Sequence, residues 1–256
     1  MKNGIAVLSV IPIRKEPTHA SEQISQLLFG ETYSISSTHE TWLKITCNSD
    51  GYEGWIHNSQ HTALADKDFT AIAENKAGIA LELAFSASSS SYSVPVVCGS
   101  SLPGFDGVNF KIGKEKFIYN GQAVLPEAQN SSVLERIALR YLNAPYQWGG
   151  RSPFGIDCSG FSQIVFKFCG YSLKRDAYQQ AEQGTPLNFV EETQPGDLAF
   201  FANDENRITH VGIILKDHRI IHASGKVRID KLDHYGIYNA ETKKYSHRLK
   251  LIKRYF

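Results

Sequence analysis

The sequence predicts an α+β C-terminal part built around an antiparallel sheet and preceded by small all-β units. Helix-type spacing of apolar residues is concentrated between residues 133 and 183. After residue 196 the apolar residues fall in short runs typical of strands. The first 62 residues contain only short or alternating apolar runs separated by turn residues. Helices followed by consecutive strands indicate an α+β domain, and short strands at regular spacing indicate small barrels.

The composition argues against several classes of function. The 27 basic and 26 acidic side chains of the 256 residues nearly balance, so we do not expect nucleic acid as a partner. No apolar run approaches the roughly 18 residues of a membrane-spanning helix, so no membrane is expected as a partner either. A monomer is the expectation. The four cysteines are scattered without a CxxC pair, which disfavours a disulfide framework or a zinc knuckle.

The chain is predicted to divide into three units. Residues 1–62 form a small β unit with candidate strands at 5–13, 32–36, 42–46 and 54–57. Residues 63–128 form a second small β unit, in which the apolar stretch 77–85 suits a strand or a helix equally. Residues 129–256 form the third unit.

Three motifs in the first unit lead to a resemblance. They are LLFGE at 27–31, WLKI at 42–45 and DGYEGWI at 50–56. They resemble the bacterial SH3-like domains found beside cell-wall enzymes, most specifically in the glycine turn that precedes Trp55. The resemblance implies an SH3-like barrel over residues 1–62, and we extend that expectation to residues 63–128.

The third unit begins with helices and continues with strands. A helix is predicted over residues 133–141, with Leu134, Ile137, Ala138 and Tyr141 on its inner face. A further helix is predicted over residues 174–183. The predicted strands are 197–201, 210–215, 219–224, 226–230 and 248–256.

Between these helices lies the stretch GGRSPFGIDCSGFSQIVFKFCG. Its apolar residues Phe161, Ile164, Val165 and Phe168 share one helix face. Asp157 is a good N-cap, which places Cys158 at the first helical residue, and Gly170 ends the helix. Because a helix N-terminus stabilises an anion, we expect a lowered thiol pKa and a cysteine nucleophile. A small buried residue at a helix start is the alternative.

A cysteine nucleophile needs a base, and two of the nine histidines lie in apolar strands. These are His210 in THVGIIL and His222 in RIIHAS. A hydrogen-bonded core histidine is the alternative for each. Side chains alternate along a strand, so the two share a sheet face only if the turn between Ile214 and Ile220 has odd length or contains a bulge. We predict one of these two arrangements.

The motifs DCSGFSQIVF, PGDLAFF, THVGIIL and IIHASG together resemble the NlpC-type cysteine peptidase family, which has a papain-like fold. The resemblance implies that Cys158 attacks, that His210 acts as base and that His222 orients it. Tyr146 of the PYQWGG loop would hold the oxyanion with the backbone N–H of Cys158. Neither a cofactor nor a metal is implied.

The order of units is similar to that of the γ-D-glutamyl-L-diamino acid endopeptidases. It implies murein-derived peptides as partners, cut between γ-D-Glu and a diamino acid (diaminopimelate or lysine) when the N-terminal L-Ala is free, in cell-wall peptide recycling. Asp157, Glu31 and Tyr52 would then recognise the free amine of the substrate, with Trp148 and Ser159 lining the cleft. The alternatives are packing at a domain interface for Trp148 and Tyr52, and a solvated turn residue for Glu31.

One departure from the family pattern concerns the residues after the cysteine helix. Relatives often carry Arg-Asp-Ser, whereas this chain reads Arg175-Asp176-Ala177, so one hydroxyl is missing although Asp176 can still bind substrate. A surface ion pair is the alternative for Arg175 and Asp176.

The mechanism implied by the resemblance is acyl transfer from a Cys158 thiolate paired with a charged His210. Three alternatives are an inactive cell-wall peptide binding module, an amidase or transferase using the same triad, and a zinc site made by Cys158, His210 and His222. The N-terminus reads as a strand and not as a signal peptide, so we expect a cytoplasmic protein, or a periplasmic one if a leader has been removed.

Overall fold

The computed structural model describes residues 2–75, 77–126 and 131–256. They form two compact units, residues 1–127 with 148–153 and residues 128–147 with 154–256. The predicted boundary between residues 128 and 129 lies outside the described residues, and the one between 62 and 63 stays a prediction. No helix within the described ranges has the length and apolar character needed to cross a membrane.

The first unit begins with a seven-stranded antiparallel sheet. Its strands are β1 (Asn3–Ile5), β2 (Val10–Arg14), β3 (Gln23–Leu28), β4 (Thr32–His39), β5 (Trp42–Cys47), β6 (Glu53–His57) and β7 (Thr62–Ala63). Their order is β3-β2-β6-β5-β4-β1-β7. The predicted strand at 5–13 is therefore two strands. Sequence reasoning missed β3, because its polar Gln23 and Gln26 interrupt the apolar pattern.

The rest of the first unit is also mostly β. It contains α1 (Asp66–Glu74), β8 (Gly78–Ala80), β9 (Ala84–Ser88), β10 (Ser93–Val97), β11 (Ser101–Leu102), β12 (Asn109–Ile112), β13 (Glu115–Tyr119), β14 (Ala123–Val124) and β15 (Arg151–Ser152). The ambiguous stretch 77–85 contributes strands. Phe110 stacks on Phe117 with ring centroids 5.1 Å apart, and both rings meet the edge of Phe29. The core of this part therefore includes residues from the first 62.

The second unit carries helices followed by strands. Its elements are α2 (Ser131–Arg140), β16 (Gly155–Ile156), α3 (Cys158–Phe168), α4 (Ala177–Gln180), β17 (Thr185–Leu187), β18 (Leu198–Ala202), β19 (Ile208–Leu215), β20 (Arg219–Ser224), β21 (Lys226–Leu232), β22 (Gly236–Asn239) and β23 (Lys244–Arg254). The predicted inner face of α2 is buried. The helix predicted over 174–183 is shorter than expected, and β17 and β22 were not predicted.

Six strands of the second unit close on themselves. The order is β17-β23-β18-β19-β20-β21-β22, and β23 pairs with β22 as well as with β18. One face of this sheet buries an apolar cluster that includes Ile214, Ile220, Leu232 and Ile237. Helix α3 packs against α2, β19 and β20. A helical layer on an antiparallel sheet confirms the predicted α+β class, and it brings the start of α3 to β19.

Candidate active site

The nucleophile candidate lies where the sequence predicts it. Cys158 is the first residue of α3, and the Asp157 side chain accepts a hydrogen bond of 2.7 Å from the backbone N–H of Gly160. Asp157 has an extended backbone, as an N-cap requires. Helix α3 ends at Phe168, and Gly170 follows with φ +78°. The predicted cap and stop are both confirmed.

Arg175 holds the capping carboxylate. Its guanidinium donates to both oxygens of Asp157, at 3.0 and 2.6 Å, and also to the hydroxyl of Ser159 at 2.9 Å. Arg175 is 1% exposed. The alternative of a surface ion pair with Asp176 is therefore wrong, because the short loop before α4 folds the arginine inward onto the start of α3.

The thiol of Cys158 lies against the strand that carries His210. Its sulfur is 4.0 Å from the carbonyl oxygen of Thr209, and the backbone N–H of Val211 donates toward it. His210 is the residue between these two contacts. The fold thus places the predicted nucleophile beside the predicted base.

The expected ionisation of this pair is wrong. Burial raises the pKa of the Cys158 thiol to about 12, and the negative charge of Asp157 adds to the effect. The backbone N–H groups of Val211 and Ser159 and the charge of Arg175 lower that pKa, but they do not overcome burial. Burial, with the neighbouring His247 and His222, holds the pKa of His210 well below its usual value. Both shifts favour a neutral thiol beside a neutral imidazole over a thiolate–imidazolium pair.

His210 and His222 share one face of the sheet, as the hypothesis required. Strand β19 pairs with β20 so that Leu215 lies opposite Arg219 and Gly212 lies opposite His222. The turn between the strands therefore has three residues, 216–218, so the structure has the odd-length turn, which is one of the two predicted arrangements. Its Asp217 adopts a positive φ.

The two rings are hydrogen-bonded and continue into an acidic residue. Nε2 of His210 lies 2.9 Å from Nδ1 of His222, and Nε2 of His222 lies 3.0 Å from Oδ2 of Asp230. All three side chains are buried. Arg228 donates from Nε to Oδ2 of Asp230 at 2.7 Å and from Nη2 to Oδ1 at 3.0 Å. His210, His222 and Asp230 are thus linked in series by hydrogen bonds, and Cys158 lies against the strand that carries His210.

A third histidine completes the surroundings of the base. The ring of His247 stacks on His210, with centroids 4.0 Å apart and planes 21° apart. Burial and the nearby His222 lower the pKa of His247 to about 4. Ring nitrogens of His210, His222 and His247 lie within 4.8 Å of one another. The three rings thus form one cluster around the base.

Tyr146 lies near the thiol. Burial raises the pKa of its phenol to about 12, and the charges of Cys158 and Asp157 contribute to the rise. The backbone N–H of Tyr146 donates to the carbonyl of Gly225 at 3.0 Å, which ties the loop to the sheet. The phenol therefore keeps its proton at neutral pH and can donate a hydrogen bond.

Family models match two parts of the chain. A model described as the NlpC/P60 family matches residues 143–246, and one described as the bacterial dipeptidyl-peptidase Sh3 domain matches residues 13–60. A gamma-D-glutamyl-L-lysine dipeptidyl-peptidase from Bacillus subtilis is 30% identical over 223 residues, covering 78% of this chain and 71% of the relative. The chain belongs to the NlpC/P60 family.

Other relatives of this NlpC/P60 chain span nearly its whole length. A dipeptidyl-peptidase 6 from Lysinibacillus sphaericus is 26% identical and is matched over 92% of its length. The crystal structure of an NlpC/P60 family protein from Bacillus cereus superposes with a TM-score of 0.82 at 19% identity, covering 99% of both chains. An NlpC/P60 endopeptidase from Photobacterium damselae gives a TM-score of 0.76 at 19% identity, covering 97% of this chain and 70% of the other. The predicted fold class, with an SH3-like domain before the peptidase domain, is confirmed.

Three predicted substrate residues of this NlpC/P60 chain belong to the first unit. Glu31 is buried and accepts from Arg151 at 2.6 and 3.0 Å, so a solvated turn residue is the wrong description. Trp148 is 61% exposed and donates from its indole to Glu22 at 2.7 Å. Tyr52 is half-buried. The roles of Glu31, Tyr52 and Trp148 in binding substrate stay predictions.

The other predicted substrate residues lie in the second unit with the nucleophile. Ser159 is buried and donates to Asp157 at 3.3 Å, so both side chains belong to the polar network at the start of α3. Asp176 is the N-cap of α4, and its backbone N–H donates to Oε1 of Gln179 at 3.1 Å. Ala177, which stands where relatives often have serine, is buried. Substrate contacts of these residues also stay predictions.

Sequence reasoning missed Asp230, Arg228 and His247. Asp230 gave a usable signal, since a carboxylate within the alternating strand KVRID is expensive to bury without a partner. His247 gave none, because β23 is a polar strand whose contact with His210 depends on the closure of the sheet.

Proposed function

We propose that the protein is a thiol peptidase that hydrolyses the bond between γ-D-glutamate and the diamino acid of murein-derived peptides. The observation that carries the proposal is the position of the Cys158 thiol. It contacts the backbone of Thr209 and of Val211, the residues on either side of His210. Relatives of comparable length are named for the γ-D-glutamyl-L-lysine bond. Lysine or diaminopimelate would follow the scissile bond, and the free amine of L-Ala would precede the glutamate.

The first half of the reaction forms a thioester. His210 accepts the thiol proton as the sulfur of Cys158 attacks the γ-glutamyl carbonyl carbon. The C–N bond of the tetrahedral intermediate then breaks, and His210 returns the proton to the leaving amine of the diamino acid. A neutral resting pair suits this sequence, because the base is unprotonated when substrate arrives.

The second half releases the acid. His210 takes a proton from water, whose oxygen attacks the thioester carbonyl, and the departing sulfur of Cys158 recovers the proton. In both halves the carbonyl oxygen becomes an anion. The backbone N–H of Cys158 and the phenol of Tyr146 are the proposed donors, and removing one such donor typically costs about 100–1,000-fold in kcat.

The experiment that tests the proposal is mass spectrometry of products from L-Ala-γ-D-Glu-L-Lys and its diaminopimelate analogue. Wild-type protein should release the dipeptide L-Ala-γ-D-Glu, and Cys158→Ala should release none while still binding the peptide. Cys169→Ala is the matched control, since Cys169 is a second buried cysteine just past the end of the same helix. Turnover by Cys158→Ala would refute the thiol mechanism, and binding without turnover by the wild type would favour a binding module.

A role in recycling makes a further prediction about the substrate. The protein should cut free tripeptides and tetrapeptides and leave intact murein uncut, and cell fractionation should find it in the cytoplasm with those peptides. Activity should survive a metal chelator. Cleavage of intact murein would instead point to a wall-remodelling enzyme.

A further inference from the structure

We propose that Asp230 is a positioning residue of the catalytic pair. Its carboxylate fixes the tautomer of His222 and, through it, the tautomer of His210, so that Nδ1 of His210 keeps a lone pair for the thiol proton. The proposal rests on the proposed function, in which Cys158 attacks and His210 is the base.

The sheet register places this series of groups on one face across three adjacent strands. His222 of β20 lies opposite Gly212 of β19, two residues from His210, and opposite Arg228 of β21, two residues from Asp230. Residues two apart on a strand point to the same face. Each step in the series is therefore a diagonal contact between neighbouring strands, and the closed sheet holds the spacing.

The hydrogen bonds of Asp230 determine which nitrogen of His222 carries a proton. Arg228 can only donate, and it donates to both oxygens of Asp230, so the carboxylate acts as acceptor. Burial alone would raise the pKa of Asp230, but the bonds from His222 and Arg228 lower it further than burial raises it, and the group is ionised. Nε2 of His222 must therefore carry the hydrogen that it gives to Oδ2 of Asp230.

The remaining assignments follow from that one hydrogen. When His222 carries a single proton, on Nε2, its Nδ1 has only a lone pair, so Nε2 of His210 donates across the 2.9 Å contact. A neutral His210 with its proton on Nε2 has its lone pair on Nδ1. A hydrogen on Nδ1 of His222 would reverse the contact and leave Nε2 of His210 as the acceptor, buried against His222.

The same series bears on the charge that His210 acquires. The rings of His222 and His247 contact His210, and the thiol of Cys158 contacts the backbone of the two residues on either side of it. Burial lowers the pKa of His210, and the two histidines add to the effect. Asp230 is the anion in the series, and it reaches His210 only through His222. It is itself paired with Arg228, which Glu241 also contacts at 3.2 Å. The carboxylate therefore favours the imidazolium formed when the thiol loses its proton.

Two substitutions separate the tautomer from the charge. In Asp230→Asn the amide oxygen can take the place of Oδ2, where both His222 and Arg228 donate, so the tautomer is kept. The charge is lost, and so is the bond from Nη2 of Arg228 to the second oxygen. Asp230→Ala removes both the acceptor that fixes the tautomer and the charge. We expect kcat on L-Ala-γ-D-Glu-L-Lys to fall about 10–100-fold in Asp230→Ala and less in Asp230→Asn, with KM little changed. The acid limb of the pH profile, where kcat/KM falls as His210 becomes protonated, should move to lower pH in Asp230→Asn, because the anion that favours the imidazolium is gone.

The matched control is Asp197→Asn. Asp197 is a buried carboxylate of the same unit that accepts from Nε and Nη2 of Arg254 at 2.9 and 2.8 Å, with the geometry of the Asp230 pair. Its substitution should lower the free energy of unfolding but leave kcat and the acid limb unchanged. If both Asp230 variants lose stability as Asp197→Asn does and keep the wild-type kcat and pH profile, Asp230 is merely structural and the proposal is wrong.

Nitrogen-15 NMR of labelled histidine decides the tautomer directly. At a pH at which both rings are neutral, the wild type and Asp230→Asn should show His222 and His210 protonated on Nε2. A proton on Nδ1 of either neutral ring would overturn the proposal. This measurement needs no turnover. It therefore tests the positioning role even if the wild-type protein cleaves no peptide or Cys158→Ala still cleaves it, either of which would refute the proposed function. If Asp230→Ala does not fold, Asp230→Asn supplies both readouts.

Discussion

The ring of His247 stacks on the ring of His210, 4.0 Å between centroids, and covers the base from the side of β23. This contact has two electrostatic consequences. It helps to keep water from His210, and it brings a second imidazole whose charge lowers the pKa of His210. Both effects keep His210 neutral at pH values below the usual pKa range of histidine.

Replacement of His247 by alanine should therefore raise the pKa of His210 toward about 6.5, the ordinary value for histidine. The acid limb of kcat/KM should move to higher pH, which is opposite to the shift expected for Asp230→Asn. A pH series of initial rates measures both. His234→Ala is the control, since the ring of His234 contacts the ring of Tyr235 in a tilted arrangement and lies away from the catalytic pair in the sheet. An unmoved limb in His247→Ala would show that the stack does not tune the base.

The ion pair of Arg175 and Asp157 predicts a large stability effect. Arg175→Met leaves Asp157 buried without its guanidinium partner, so the free energy of unfolding should fall by about 3–5 kcal/mol. Arg207→Met is the control, because Arg207 and Glu205 form an exposed pair 3.3 Å apart, and its effect should stay within about 1 kcal/mol. Denaturant titration of both variants measures the difference. Equal losses would mean that burial of Arg175 contributes nothing.

The raised pKa of Cys158 predicts how the thiol reacts. Below its pKa the thiolate fraction rises about tenfold per pH unit, so alkylation of Cys158 by iodoacetamide should accelerate steadily from about pH 6 to pH 9. Peptide mapping by mass spectrometry distinguishes Cys158 from the other cysteines. A rate that is already constant near about pH 6 would instead show the thiolate–imidazolium pair that the helix position alone suggests.

Gly212 predicts a steric limit on the catalytic face. A Cβ at this position would lie 2.7 Å from Cδ1 of Ile220 and 2.9 Å from Cβ of His222. Gly212→Ala should displace His222 from His210, lowering kcat and costing about 1–3 kcal/mol of stability through overpacking. Kinetics together with thermal unfolding check this. A folded Gly212→Ala variant with wild-type kcat would show that His222 can shift without consequence.

Local signals in the sequence were enough for the start of the site. The spacing of apolar residues, the cap Asp157 and the stop Gly170 act within a few residues, so the helix that begins at Cys158 was predictable. The hypothesis that His210 and His222 share a sheet face limited the turn between β19 and β20 to an odd length or a bulge, because side chains alternate strictly along a strand. The fold class and the family resemblance also came from motifs that can be read in order.

What the sequence by itself determined was which residues carry the chemistry: a cysteine at a helix start and two histidines on apolar strands. Only the tertiary structure decided their ionisation, because burial depends on the packing of α3 against the sheet, and it raises the thiol pKa that the helix end alone would lower. Only the structure joined Asp230 and His247 to the pair, because strand register and sheet closure bring together residues that are distant in the chain. The pKa of a side chain and its hydrogen-bond partners depend on its environment, and that environment forms only when the chain folds.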